Sequence, residues 1–220
     1  DLASEAAARG FGAVEFDDVR FPDAPGMAGA VRFALPPGRD RARAIRDGLA
    51  FLDYRAGALG VPIAFTVAGA AAADSGAARG GERWDALAGR ADLVMPREFP
   101  SAFPAGAFGL ADPAAQPYEL VSRALADAKR RNSAVRGAGT LVPWYQDFSM
   151  GAAAYDSARV RDEIRAGYAA GIRSWLMWNP ASRYTEAALH EPAPRRDTTA
   201  ARAKPAAKGK KGHPAPARRR

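Results

Sequence analysis

Val14-Glu15-Phe16-Asp17-Asp18-Val19-Arg20-Phe21-Pro22-Asp23 is the stretch on which the fold turns. A short apolar run, opened by Gly10-Phe11-Gly12, stops in two adjacent carboxylates, with Arg20 and Pro22 just beyond. Strands buried on both faces read as apolar runs, and charges at the carboxyl end of such a strand lie where α/β barrels build active sites. The stretch falls within the first two dozen residues, whereas a barrel enzyme would place several βα units before it. The expectation is therefore an incomplete barrel, with the missing units in upstream sequence or in another chain.

Outward from this strand the pattern alternates. Asp1 to Arg9 reads as a helix end closed by Gly10, and Ala13–Asp17 as a strand. After a Pro/Gly-rich loop, Asp40 can cap a helix to about Leu59, with Ile45, Leu49 and Leu52 at helical spacing. Val61–Val67 is a second strand, Ala68–Gly81 a soft loop or short helix, and Leu93-Val94-Met95 a third strand stopped by Pro96. A long loop from Arg97 to Gln116 leads to a helix opened by Pro117. Thr140-Leu141-Val142 is a fourth strand, running into Pro143-Trp144-Tyr145-Gln146-Asp147-Phe148. Asp156 can cap a helix closed by Gly171, Ser174–Trp178 is a fifth strand, and Thr185–His190 a short last helix. This order predicts an α/β fold with parallel strands and right-handed crossovers. An open doubly wound sheet and a (β/α)8 TIM-barrel type both fit. No Gly-x-Gly-x-x-Gly follows the first strand, so a dinucleotide site has no support. Five strands in about 190 residues match the C-terminal five-eighths of a barrel, which in full needs roughly 250 residues.

The chain has 220 residues and a formal charge of +8. Ten of the 32 Lys/Arg and two of the 24 Asp/Glu fall in residues 191–220, which leaves 22 of each in residues 1–190. The body is neutral and the excess lies in the tail. That tail is rich in Pro, Ala, Lys and Arg, lacks large apolar residues, and is predicted to be disordered. It could contact an anionic polymer, nucleic acid or phospholipid; the plainer reading is a solvated terminus. Two domains follow: 1–190, a partial barrel, and 191–220, the tail. There are no cysteines, and the two histidines, His190 and His213, lie in or near the tail. Disulfides, thiol catalysis, Ser-His-Asp catalysis and His-based zinc sites are disfavoured. No cofactor is expected. No apolar run is long enough for a transmembrane helix, and no secretory signal opens the chain.

On the barrel frame, polar and aromatic residues gather at the strands' carboxyl ends: Asp17, Asp18 and Arg20; Thr66; Arg97 and Glu98; Trp144, Gln146 and Asp147; Trp178 and Asn179. Carboxylates among Trp, Asn, Gln and Arg suit a sugar cleft, and glycoside hydrolysis uses two carboxyls. Asp17 and Asp147 are the candidate catalytic pair. Asp18, Arg20, Thr66, Glu98, Trp144, Gln146, Trp178 and Asn179 are candidate substrate-binding residues. Several have a plainer alternative. Asp17 could pair with Arg20 to close a turn, Asp18 could support Asp17, Asp147 could cap a helix entry, and Glu98 reads as a surface residue of the long loop. Asp92, at a strand's start, reads as structural. Trp175 and Trp178 face opposite ways on one strand, which sends Trp178 to the cleft and Trp175 to the core. An all-oxygen metal site from Asp17 and Asp18 has no supporting spacing.

Phe11-Gly12-Ala13-Val14-Glu15-Phe16-Asp17-Asp18-Val19-Arg20-Phe21-Pro22 resembles the signature of a bacterial glycosyl-hydrolase domain family of TIM-barrel, glycoside hydrolase-like type. Met95–Ser101 with Gly106–Gly109, Asp112-Pro113 with Pro117-Tyr118, Leu141–Phe148, and Gly171–Pro180 with Tyr184-Thr185 match further segments in order, over about residues 1–190. The resemblance implies a barrel, a carbohydrate substrate such as a polysaccharide or cell-envelope glycan, and an envelope-associated or exported location. The sequence departs from it at Asp18, where a tyrosine is usual, at Thr66, where a carboxylate is frequent, and at Phe99, Ala102 and Phe103, which replace aromatics and a histidine. Those departures favour a second expectation, a non-catalytic carbohydrate-binding barrel.

Overall fold

The computed structural model describes residues 2–22, 33–34, 40–69, 80–150 and 154–189. The tail, most of the Pro/Gly loop after Pro22, and the soft segment 70–79 lie outside the described residues.

All strand pairings among the described residues are parallel. β1 (Val14–Phe16) pairs with β2 (Ile63–Ala68), and β2 with β3 (Leu93–Arg97). β3 pairs with β4 (Thr140–Leu141) and then with β5 (Trp144–Gln146), which pairs with β6 (Leu176–Trp178). Helices fill the crossovers: α1 (Leu2–Ala8) precedes β1, α2 (Arg41–Ala56) joins β1 to β2, and α3 (Trp84–Ala88) joins β2 to β3. α4 (Pro117–Ser133) joins β3 to β4, α5 (Ser157–Ala169) joins β5 to β6, and α6 (Glu186–Leu189) follows β6. Spatial order equals chain order. A doubly wound sheet reverses direction at a switch point; this one does not. The fold is an α/β half-barrel, in agreement with the barrel expectation.

β4 and β5 are one strand interrupted at Val142-Pro143. Leu93 and Val94 pair with Thr140 and Leu141, and Arg97 with Trp144, but nothing in β4 or β5 pairs with Met95 or Pro96. Pro96 and Pro143 face this gap in the ladder, where a missing N–H costs little. For that reason Pro96 does not stop β3, contrary to the sequence reading; the strand runs on to Arg97.

The caps follow the sequence. Asp40 accepts from the Arg43 amide at 2.7 Å and Asp156 from that of Arg159 at 3.1 Å, each opening its helix. Asp92 ties the starts of β2 and β3 together: its carboxylate accepts from Ile63 N at 2.8 Å, and its own amide donates to Ile63 O.

Side-chain alternation divides the sheet into two faces. Val14, Phe16, Ile63, Phe65, Val67 and Val94 pack with Leu49 of α2 and Leu87 of α3 in the layer between sheet and helices. Tyr145, Trp175 and Met177 continue that layer against α4 and α5. Ala64, Leu93, Met95, Val142, Trp144 and Leu176 form the other, inner face. Trp175 is thus in the outer layer beside Tyr145, and Trp178 is on the inner side, stacked on Trp144. β1 and β6 each leave one side without a strand partner among the described residues.

Candidate active site at the carboxyl ends of the strands

The inner face carries Glu15 on β1, Thr66 on β2, Arg97 at the end of β3, Trp144 and Gln146 on β5, and Trp178 on β6. Asp17 and Asp18 lie immediately past β1. Fully buried Thr66 donates its hydroxyl to Asp17 Oδ1 and accepts the Asp18 amide at 3.2 Å. The Asp18 amide also reaches Asp17 Oδ1 at 2.8 Å. Arg97 extends its guanidinium from β3 to both acids, 3.4 Å to Asp17 Oδ1 and 2.6 Å to Asp18 Oδ1. Arg20 Nε closes the cluster on Asp18 at 2.9 Å. The sequence alternative that paired Arg20 with Asp17 becomes a pairing with Asp18, while Thr66 and Arg97 engage Asp17. Hydrogen bonding from Arg97 holds the Asp18 carboxyl below the ordinary carboxylate range, against partial burial.

Asp18 has φ +50°. Aspartate is among the few residues that enter the left-handed region readily, and the twist turns its side chain back to Arg97 and Arg20. The residue that departs from the family pattern therefore suits its backbone.

Glu15 shares the inner face with Asp17, two residues away along the strand. It keeps solvent access at the sheet edge, yet burial, and then the charge of Asp17, push its carboxyl up to about 7, with Arg97 opposing. Neither Glu15 nor Glu82 is among the candidates read from sequence. Glu15 was accessible to period-two alternation; Glu82 had no sequence signal. Glu82 is buried, and desolvation pushes it up to about 7 against the charges of Arg20 and Arg97.

The other candidates are placed as follows. Trp144 and Trp178 stack with ring centroids 5.3 Å apart, Trp144 buried and Trp178 40% exposed. Gln146 is buried, and its amide is engaged: Oε1 accepts from Ser101 N at 3.0 Å, while Nε2 donates to Ser101 Oγ and Phe148 O. It pins the loop after β3 to the strand beside it. Asp147 is buried and both its oxygens accept from Thr185, from the amide and the hydroxyl at 2.6 Å each. These bonds tie the end of β5 to Thr185, the residue before α6. Asn179 donates to Asp147 O and to Arg183 O and accepts from Ala181 N, bracing the same loop.

Glu98 is a correction. It is not a surface residue but fully buried. β3 continues past Pro96, so the Glu98 amide still bonds Trp144 O at 2.9 Å, and alternation sends its side chain opposite to Arg97, into the helix layer. Neither carboxyl oxygen has a hydrogen-bond partner among the described residues. Burial, with the nearby charge of Asp127, pushes it up to about 8.

Residues 1–184 match the family model described as "Putative glycosyl hydrolase domain". The chain belongs to this family. No curated protein sequence matches it. Among solved structures, the chain is similar to the spore cortex-lytic enzyme SleL of Bacillus megaterium QM B1551, at 10% identity and a TM-score of 0.51, over 86% of this chain and 50% of that one. SleL of Bacillus cereus gives 10% identity and a TM-score of 0.50, over 84% and 49%. At this identity the likeness is one of fold. The chain spans about half the length of these structures. In the family frame, the signature segment at residues 11–22 is the one whose acids meet Arg97 and Thr66.

Proposed function

We propose that this chain supplies a glycoside hydrolase site in which Asp17 acts as the carboxylate and Glu15 as the proton donor. The observation that carries it is the pair itself. One strand presents to one face a carboxyl that holds its proton to near neutrality and, two residues on, a carboxylate anchored by Thr66 and Arg97. Divergent environments for two neighbouring carboxyls are what acid-assisted glycoside cleavage needs. Glu15 would give its proton to the glycosidic oxygen as the bond to the anomeric carbon breaks. Asp17 would stabilise the positive charge developing on the sugar, and water would complete hydrolysis. The exposed ring of Trp178 offers a stacking surface for a sugar. Trp144 carries a buried indole N–H without a partner among the described residues. Asp147, taken from sequence as the second carboxyl, is assigned instead to holding Thr185.

The substrate proposed is a polysaccharide of the cell envelope, with spore cortex as the first material to test because the similar SleL structures are of cortex-lytic enzymes. Wild-type protein should release reducing ends, Asp17→Asn should retain under 1% of the rate, and Glu15→Gln should lose roughly 100-fold or more. Aryl glycosides with acidic leaving groups need less protonation and should rescue Glu15→Gln but not Asp17→Asn. Unchanged turnover by a folded Asp17→Asn protein would sink the assignment.

A second reading, a glycan-binding protein without turnover, draws on Thr66: it stands where the family often carries a carboxylate and leaves Asp17 hydrogen-bonded by a neutral hydroxyl. Glycan binding without product release selects it. For the basic tail we propose contact with anionic polymer or nucleic acid; salt-dependent binding that survives deletion of residues 191–220 would refute that.

A further inference from the structure

Gly80-Gly81-Glu82 lies directly beneath the turn that carries the site. The Phe21 amide donates to Gly80 O at 2.8 Å. A Cβ at Gly80 would come within 2.8 Å of Phe21 O and 3.1 Å of Arg20 Cβ, so only glycine allows this approach. Gly81 has φ +82°, and a Cβ there would meet the Arg41 backbone at 3.0 Å. The two glycines thus seat residues 20–21 on this segment and leave Glu82 facing the site from below.

Glu82 is 1% exposed, and neither carboxyl oxygen has a hydrogen-bond partner among the described residues. A buried carboxyl in that state is costly unless neighbouring charge or a proton compensates. Among the described residues, the charged groups acting on it are Arg20 from the turn after β1, Arg97 from β3, and Asp18. Arg20 and Arg97 are the same two guanidiniums that hold Asp18. Among the described residues, Asp17, Asp18 and Glu82 thus lie in the field of the same two arginines.

We infer that Glu82 is a positioning residue of the site, competing with Asp18 for Arg20 and Arg97 and so setting how firmly the Asp17–Asp18 turn is held. Protonated, Glu82 leaves both guanidiniums to the turn. Ionised, it pulls them down and away from Asp18 and Asp17. Its kinetic consequence rests on the glycosidase reading; the electrostatic coupling does not.

The coupling is read by carboxyl ¹³C NMR titration of the full chain in a Glu15→Gln background, which removes the inner-face carboxyl that is also pushed up to about 7. The Asp18 resonance should show an inflection coincident with that of Glu82, and Glu82→Gln should abolish it. An Asp18 resonance without that inflection, or one that keeps it in Glu82→Gln, overturns the inference. On a cleaved glycan, Glu82→Gln, which cannot ionise, should lose at least threefold less kcat than wild type as pH rises from 6 to 8, with KM within threefold of wild type. A lower melting temperature in Glu82→Gln with the pH profile of kcat unchanged from wild type would leave Glu82 a packing residue and overturn the inference. If no glycan is cleaved by the wild-type protein, the glycosidase reading fails, and the NMR titration alone decides the role of Glu82.

Discussion

Arg97 donates to Asp18 across 2.6 Å, from the end of the third strand to the turn beyond the first. The same guanidinium reaches Asp17 at 3.4 Å, so one side chain spans β2 and fixes both acids. The Arg97 side chain is 15% exposed and the acids about half exposed. Solvent therefore weakens the pairing, and its main value is geometric.

Arg97→Ala should accordingly cost stability modestly, about 1–2 kcal/mol, while disabling the turn. Arg97→Lys keeps a charge but cannot reach two carboxylates with a planar fork, and should recover stability more than function. Chemical denaturation and the Asp17 and Asp18 carboxyl resonances test this together. Unshifted Asp18 resonances in Arg97→Ala would refute the spanning role.

Asp147 is proposed as a structural carboxyl, and stability measurements separate that role from a catalytic one. Both its oxygens are taken by Thr185. Asp147→Ala should cost about 1–2 kcal/mol by removing both bonds to the half-buried Thr185, and Thr185→Ala, which removes one of the two bonds, about half as much. Denaturant midpoints supply the comparison. An Asp147→Asn protein with unchanged stability and abolished turnover would instead restore Asp147 to the catalytic pair.

Gly167 sits against Tyr145: a Cβ there would lie 2.0 Å from the Tyr145 hydroxyl oxygen. Gly167→Ala should destabilise by about 3 kcal/mol or more, through overpacking of the α5–β5 contact. The hydroxyl is buried without a partner among the described residues, so Tyr145→Phe should be neutral or stabilising. The double variant should recover much of the Gly167→Ala loss, although the ring carbon remains at 3.1 Å. Strict additivity in a double-mutant cycle would show that the clash is relieved elsewhere.

Buried acids predict an inverted pH dependence of stability. Glu98 rises from 4.5 to about 8 on folding, and Glu163 is raised well above 4.5, in both cases chiefly by burial. The folded chain binds these protons more tightly than the unfolded chain. The stabilisation from Glu98 is therefore fully present below about pH 4.5 and is lost as pH rises through about 8, on the order of 5 kcal/mol, and that from Glu163 is lost in the same direction. Melting temperatures should fall between pH 5 and pH 9 more steeply than in Glu98→Gln, which should match wild type near pH 5 and exceed it at pH 9. Parallel curves for the two proteins would show Glu98 to be compensated in the folded state.

Local order was legible in the sequence because its causes are local. Period-two alternation and Gly/Pro punctuation located the strands. Asp40, Asp156 and Pro117 announced helix starts, and the Asp17-Asp18 terminus of β1 pointed to the site proposed above. Tertiary structure alone decided how the polar residues are used, because partners distant in sequence make that choice. Thr66 and Arg97 lie 49 and 80 residues from Asp17. Glu98 is buried because the ladder gap opposite Pro143 lets β3 outlast its proline. Asp147 is turned to Thr185, 38 residues on. Glu82 became visible only through two glycines that let one backbone lie on another, an approach set by packing rather than by any pattern along the chain.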